Sequence, residues 1–289
     1  MGYIIKGEMK AKVIRKTIKA RVKLRGRRGL RAPGLAMIIV GTDKASSTYV
    51  EKKRKACEEV GFISKNYSLK ASALNKDLLE LVQSLNVDNT VDGILIQLPL
   101  PPQINIHKIF EAIHPNKDID GFHPYNIGRL IQCKPLLRPC TPKGIMNLLE
   151  EIVYTFKDKH AVVVGASNIV GRPMAMELLL SGATVTICHR FTKDLSRHLK
   201  NADIIITAVG KPNFIKGSSY KFKKEAIVID VGINRSNNGN VVGDVDFESV
   251  INHVSHITPV PGGVGPMTVA ALLENTLFAC EYLHDSKLN

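Results

Sequence analysis

Short apolar runs alternate along this chain with stretches in which apolar residues recur every three or four positions. LAMIIV (35–40) precedes a helical pattern over 45–61, a run around Tyr67–Leu69 precedes one near 75–85, and DGILIQ (92–97) precedes one near 105–113. Strands alternating with helices predict βα units and a mostly parallel sheet, hence an α/β fold. Residues 114–142 are broken by HP, KP, RP and TP dipeptides and read as loops and a domain junction. A second alternating series follows: HAVVVG (160–165), a helix over 170–181, then ATVTIC (183–188), ADIIITAV (202–209) and AIVIDVG (226–232) as strands. NNGNVVGD (237–244) has the Asn-Gly signal of a hairpin turn. A last helix is expected over about 267–284, after a glycine loop.

One position breaks the pattern. Projected at about 100° per residue, Tyr49, Val50, Ala56, Cys57 and Val60 share an arc, and Glu51, Lys52, Arg54, Lys55, Glu58 and Glu59 lie outside it. Lys53 falls inside, one turn after Tyr49. A lysine on a buried face must be paired or must lower its pKa, which makes Lys53 a candidate catalytic group. The plainer reading is a lysine that reaches solvent along its aliphatic stem. Periodicity alone leaves both open.

The second series carries a different signal. In HAVVVGASNIVGRP, Gly165 ends a strand and Gly171 opens a helix, so backbone N–H groups can face a pyrophosphate. Ser167 and Val170 lie within that turn. The spacing is GxxxxxG, less specific than GxGxxG. A cofactor with a free ribose 2′-hydroxyl calls for Asp or Glu at the end of the next strand; here stand His189 and Arg190, with Lys193 close by. Positive charge suits a 2′-phosphate, so NADP is preferred over NAD.

Composition narrows the class. With 289 residues, 44% hydrophobic and 23% charged, the chain has room for two globular domains. No apolar run nears the roughly 20 residues of a membrane span, so no membrane partner is expected. Five scattered cysteines show neither zinc nor disulfide spacing; a reducing cytosol and no metal are expected. Of the net charge of +14, residues 1–31 supply +11, from twelve Lys/Arg against Glu8. Ile14, Ile18 and Val22 recur through this segment, which reads as an amphipathic surface helix with a solvated basic face. Stacking aromatics are not interleaved with these charges, so nucleic acid is not expected as a partner.

Several longer motifs stand in order: VGTDKASSTYVEKKRKACEEVGF (40–62), DGILIQLPLP (92–101), HPNKDIDGFHPYNIGRL (114–130), RPCTPKGI (138–145), GASNIVGRP (165–173), AVGKP (208–212), DVGIN (230–234) and ITPVPGGVGPMT (257–268). Taken together the chain resembles, over essentially its full length, the bacterial bifunctional methylenetetrahydrofolate dehydrogenase/methenyltetrahydrofolate cyclohydrolase family, FolD. The resemblance implies an N-terminal α/β catalytic domain over 1–121 and a C-terminal Rossmann-type domain over 122–266. It also implies a cleft between them and a terminal helix, 267–289, packing back on the first. It implies oxidation of 5,10-methylenetetrahydrofolate with NADP, then hydrolysis of the methenyl product to 10-formyltetrahydrofolate, in a homodimer. By the same resemblance Tyr49 packs on the folate ring, Lys53 serves the cyclohydrolase step, Gln97 partners the lysine, and Asp120 holds the pterin edge. Leu98, Pro261, Gly262, Gly263 and Pro266 complete the folate contacts, and Gly165, Ala166, Ser167 and Ile233 meet the cofactor. Many relatives carry Arg where this chain has Ala166, so Arg190, helped by His189 or Lys193, is expected to hold the 2′-phosphate. Two other readings are a shikimate-dehydrogenase-like NADP enzyme and a non-catalytic binding protein. QLPLP, DIDG and PGGVGPMT argue against the first, and the Tyr49, Lys53, Gln97, Asp120 set argues against the second.

Overall fold

The computed structural model describes residues 2–41, 44–236 and 238–285. In chain order its elements run β1 (Tyr3–Ile4), α1 (Gly7–Arg27), β2 (Gly34–Val40), α2 (Lys44–Val60), β3 (Ile63–Leu69), α3 (Asn75–Val87), β4 (Gly93–Ile96), α4 (Ile106–Ala112), α5 (Pro124–Ile131) and α6 (Cys140–Leu149). There follow β5 (His160–Val164), α7 (Gly171–Leu180), β6 (Thr184–Cys188), α8 (Leu195–Lys200), β7 (Ile204–Thr207), β8 (Ile227–Asp230), β9 (Asn234–Arg235), β10 (Val241–Val242), α9 (Phe247–Val250), β11 (His256–Ile257) and α10 (Val264–Phe278). They form two compact units, one of Lys12–Cys140 with Val269–Asn289, the other of Met1–Ala11 with Thr141–Thr268.

The first unit is built on a parallel sheet, β3-β2-β4. Strand β2 shows why its sequence is continuously apolar. Leu35 and Met37 enter one cluster with Ile18, Cys57, Val60 and Leu273; Ala36, Ile38 and Val40 enter another with Leu78, Val82 and Ile109. Successive side chains point to opposite faces, and both faces are covered. Helix α1 turns Ile14, Ile18 and Val22 toward the first cluster. Its flanking charges are partly tied down, Arg15 to Glu59 at 2.8 Å and Arg25 to Asp285 at 2.6 Å, while Lys12, Lys16, Lys19 and Lys23 stay exposed. The basic segment is therefore an amphipathic surface helix. No helix among the described residues is long and apolar enough to cross a membrane.

The second unit carries a six-stranded parallel sheet in the order β1-β11-β8-β7-β5-β6. From β5 the chain steps outward to β6, then returns past β5 to β7 and β8. This reversal is the switch point at which open α/β sheets take ligands beyond their strand ends. Strands β9 and β10 pair as the expected hairpin. Asn237 in its turn, and the last four residues of the expected terminal helix, lie outside the described residues.

One reading of the sequence needs adjustment. The proline-broken stretch 114–142 contains α5 and the start of α6. Pro124 occupies the first turn of α5, where a missing N–H costs nothing, and His123 Nδ1 caps it by accepting the Tyr125 N–H at 3.0 Å. The compact units divide at Cys140–Thr141. Residues 122–140 stay with the first unit because Asp118 accepts the Phe122 and His123 N–H groups, and Asn275 donates to the Arg138 carbonyl. Residues 3–4 join the second unit, hydrogen-bonded beside His256–Ile257; a two-residue strand is too short to leave a periodic signal.

Candidate active site

Residues from three separate elements meet in the first unit. Lys53, half-buried on α2, donates from Nζ to Gln97 Oε1 at 3.1 Å. Gln97 stands just past β4, its backbone N–H held by the Ile38 carbonyl at 2.9 Å. Its Nε2 donates to the Leu98 carbonyl at 2.7 Å, which fixes the amide so that Oε1 faces the lysine. Tyr49 lies one turn before Lys53 on the same helix, half-buried, with the Lys52 ammonium 5.7 Å from its ring centre. The pairing predicted as one option for Lys53 is the one observed.

Asp120 completes the group. Burial pushes its carboxyl up to about 6, against the pull of the Lys53 charge and with a further push from Asp118. The two aspartates of DxDG differ in what they touch. Asp118 is wholly enclosed and accepts from Phe122 N at 3.1 Å, His123 N at 2.8 Å and Asn126 Nδ2 at 2.8 Å, so it builds the turn. Asp120 keeps partial exposure. A neighbour that the sequence did not single out holds it in place. Asn275, buried on α10, donates to the Ile119 and Arg138 carbonyls, both at 2.8 Å. A lone amide in an apolar stripe was the available signal.

Lys53 is not the most buried lysine. Lys117 is 7% exposed, and its Nζ donates to the Leu85 and Asp88 carbonyls at 2.8 and 2.7 Å. It closes the C-terminal end of α3, and burial pushes its pKa down. It lies on a short loop turn, outside any helical projection that could mark it.

In the second unit the glycine turn has the shape the spacing implies. Gly165 has φ of 129° and packs so closely on the Ala208 carbonyl that a side chain would fill the space; Gly171 packs likewise on the Gly165 carbonyl. Ser167 Oγ accepts the Val170 and Gly171 N–H groups at 3.2 and 3.3 Å, turning the chain into α7. The register Val164–Cys188 sets this turn beside the end of β6, where His189 and Arg190 are exposed. There the Arg190 guanidinium stacks 4.7 Å from the Phe191 ring, and His189 Nδ1 accepts the Phe191 N–H at 3.2 Å. Sequence reasoning missed Arg172, whose Nε donates to the Ala166 carbonyl at 3.1 Å and brings a guanidinium beside the alanine. Ile233 is 53% exposed on the loop after β8. The loop through Pro261, Gly262 and Gly263 leads into α10, with Pro266 in its first turn, and the Gly262 carbonyl accepts the Glu8 N–H at 3.3 Å. A turn drawn tight by two glycines at a switch point, with the Arg190 guanidinium at the neighbouring strand end, fits a dinucleotide phosphate. No group of three or more His, Cys, Asp or Glu among the described residues is placed to hold a metal.

The tetrahydrofolate dehydrogenase/cyclohydrolase catalytic-domain family matches residues 5–120, and the NAD(P)-binding-domain family of the same enzymes matches 139–284. Among solved structures, the FolD dehydrogenase/cyclohydrolase of Campylobacter jejuni is 47% identical, covers 97% of this chain and 99% of its own, and superposes with a TM-score of 0.93. A 5,10-methylenetetrahydrofolate dehydrogenase of the silkworm Bombyx mori is 42% identical over 99% of this chain and 100% of its own, with a TM-score of 0.92. The dehydrogenase-cyclohydrolase of Trypanosoma brucei, complexed with NADP and an inhibitor, is 37% identical over 97% of each chain, with a TM-score of 0.91. The chain therefore belongs to the tetrahydrofolate dehydrogenase/cyclohydrolase family, with a catalytic domain followed by an NAD(P)-binding domain.

Proposed function

We propose that this enzyme oxidises 5,10-methylenetetrahydrofolate with NADP and hydrolyses the methenyl product to 10-formyltetrahydrofolate, with Lys53, Gln97 and Asp120 as its folate-handling residues. The observation that carries the assignment is the grouping of a lysine, an oriented amide and a partly exposed carboxylate within the catalytic domain. Asp120 accepts from the donor edge of the pterin. Tyr49 offers a ring face to it, and Leu98 adds a further folate contact. In the water-addition step Lys53 handles the proton of the attacking water, and Gln97 fixes where the ammonium or amine stands. NADP, when bound, accepts the hydride in the first step. Gly165, Ala166, Ser167, Val170, Gly171 and Ile233 would hold it, and His189 with Arg190 would face the 2′-phosphate. By family reading the working form is a cytosolic homodimer that supplies formyl groups, including those for purine synthesis.

One absorbance experiment tests the reaction: methylenetetrahydrofolate with NADP or NAD, following methenyl-folate and reduced cofactor together. No turnover with either cofactor would remove this reading. In the same assay Arg190→Ala is expected to raise KM for NADP about tenfold while that for NAD changes little, the size of one charge-assisted contact. An unchanged ratio would move the 2′-phosphate contact elsewhere, with Arg172 next in line.

Asp120 gives a pH dependence with a definite sign. Its carboxyl titrates near 6, so the acceptor is lost as pH falls through that value. KM for the folate substrate is expected to rise by up to about tenfold per unit below it. A wild-type KM that stays flat down to pH 5 would exclude Asp120 as the pterin acceptor.

A further inference from the structure

The buried carboxylate of Asp244 has no part in the mechanism above, yet it accepts more hydrogen bonds than either folate-side aspartate. Its Oδ2 receives the Val209 N–H at 2.6 Å and the Gly210 N–H at 3.1 Å. Its Oδ1 receives the Lys211 N–H at 2.9 Å and Asn234 Nδ2 at 2.8 Å. Three consecutive amides of one loop and the side chain that opens β9 thus converge on a single fully enclosed carboxylate. The carboxylate is itself anchored: Asp230, buried at the end of β8, accepts the N–H groups of Asp244 at 3.0 Å, Val245 at 2.9 Å and Gly232 at 2.9 Å. Charge-assisted bonds of this kind, out of water, fix backbone more firmly than neutral ones.

The segments so joined follow β7 and β8. From the switch point at β5, the glycine turn faces the pyrophosphate and β6 takes the adenosine side with Arg190. The other half of a dinucleotide must then lie over the strand ends on the opposite side, which are those of β7 and β8. We propose that Asp244 is a positioning residue for the hydride-transfer step, holding the 209–211 loop and the Ile233–Asn234 segment in the one arrangement that seats the nicotinamide half of the cofactor. The inference rests on the dinucleotide reading above and adds a residue about which neither motif spacing nor exposure gave a sign. Asn in its place turns one of the two acceptor oxygens into an N–H₂ that faces N–H donors, and loses the charge, while volume is kept.

The test uses Asp244→Asn in the full chain. In the cofactor-free protein, hydrogen exchange at the Val209, Gly210 and Lys211 amides is expected to speed up by about tenfold or more, with β5 amides unchanged. The dissociation constant for NADP, measured by calorimetry, is expected to rise about tenfold, and dehydrogenase kcat/KM to fall by about a hundredfold. Cyclohydrolase turnover started from the methenyl substrate should fall by less than about threefold, because its residues share no partner with Asp244. Unchanged exchange at 209–211, or equal loss of both activities, overturns the proposal. If Asp244→Asn does not fold, Asn234→Ala removes one of the four donors and should move NADP binding and dehydrogenase activity in the same direction by about threefold; no change, or parallel loss of both activities, overturns the proposal equally. Wild-type protein that binds neither NADP nor NAD would instead sink the dinucleotide reading itself, and this inference with it.

Discussion

Replacing Lys53 with methionine is expected to lower cyclohydrolase turnover by about a thousandfold while leaving the dehydrogenase within about tenfold of wild type. Methionine keeps the apolar stem and the helix preference, so α2 should form unchanged. What it removes is the nitrogen that meets Gln97 Oε1 at 3.1 Å and the positive charge facing Asp120. The two halves of the reaction need different things. Water addition generates a proton and a tetrahedral centre, so a positioned proton carrier and local charge lower its barrier. Hydride transfer depends mainly on how the two rings are held. Separate assays from methylene- and methenyl-folate, on protein whose circular dichroism matches wild type, give the ratio. Equal loss of both activities would remove the dedicated role in water addition. Gln97→Ala should act the same way but more weakly, since it deletes the partner and leaves the amine.

The second large effect is on stability. Asp92→Asn is expected to cost about 3 kcal/mol, because it breaks a buried charge cluster from its centre. Asp92 is 0% exposed and accepts Arg31 Nη1 and Nη2 at 2.6 and 2.7 Å, the Gly34 N–H at 2.8 Å and His284 Nδ1 at 2.7 Å. It ties the end of α1, the start of β2 and the C-terminal segment together. Burial works against its charge, but these hydrogen bonds outweigh burial and hold the pKa down to about 2. A folded-state pKa below the unfolded value of roughly 3.9 stabilises above that value, and the contribution is lost as pH falls through the folded pKa. Urea unfolding near neutral pH should therefore show a lower midpoint for the variant at unchanged slope, with the gap closing toward pH 2. A difference under about 1 kcal/mol near neutral pH would mean that Arg31 and His284 find other partners.

How far the chain could be read ahead of its structure varies residue by residue. The strand LAMIIV, the helix over 75–85 and the helix bearing Lys53 follow from periodicity, because apolar side chains must leave water and the period of 2 or 3.6 decides which ones leave together. Lys53 stood out as a polar residue breaking such a period. Asn275 does the same on α10, but its role is hidden in the sequence, since its partners, the carbonyls of Ile119 and Arg138, come near only in the fold. Pro124 shows the opposite case: proline reads as a loop marker, and at the first helical position it starts a helix instead.

The sequence by itself determined the α/β alternation, the glycine turn before α7, the basic face of α1 and, through its ordered motifs, the folate enzyme family. Each depends on residues close together along the chain, whose spacing sets local geometry and burial. Only the tertiary structure decided which charges meet. Asp92 reaches His284 across 192 positions, Asp244 gathers amides 33 to 35 residues away, and Gln97 comes to Lys53 from 44 residues off. It also separated Asp118, which builds the turn, from Asp120, which keeps partial exposure. The physical reason is that a polar group's role is set by the partner that compensates its burial, and that partner is chosen by strand order and loop closure rather than by the neighbouring sequence.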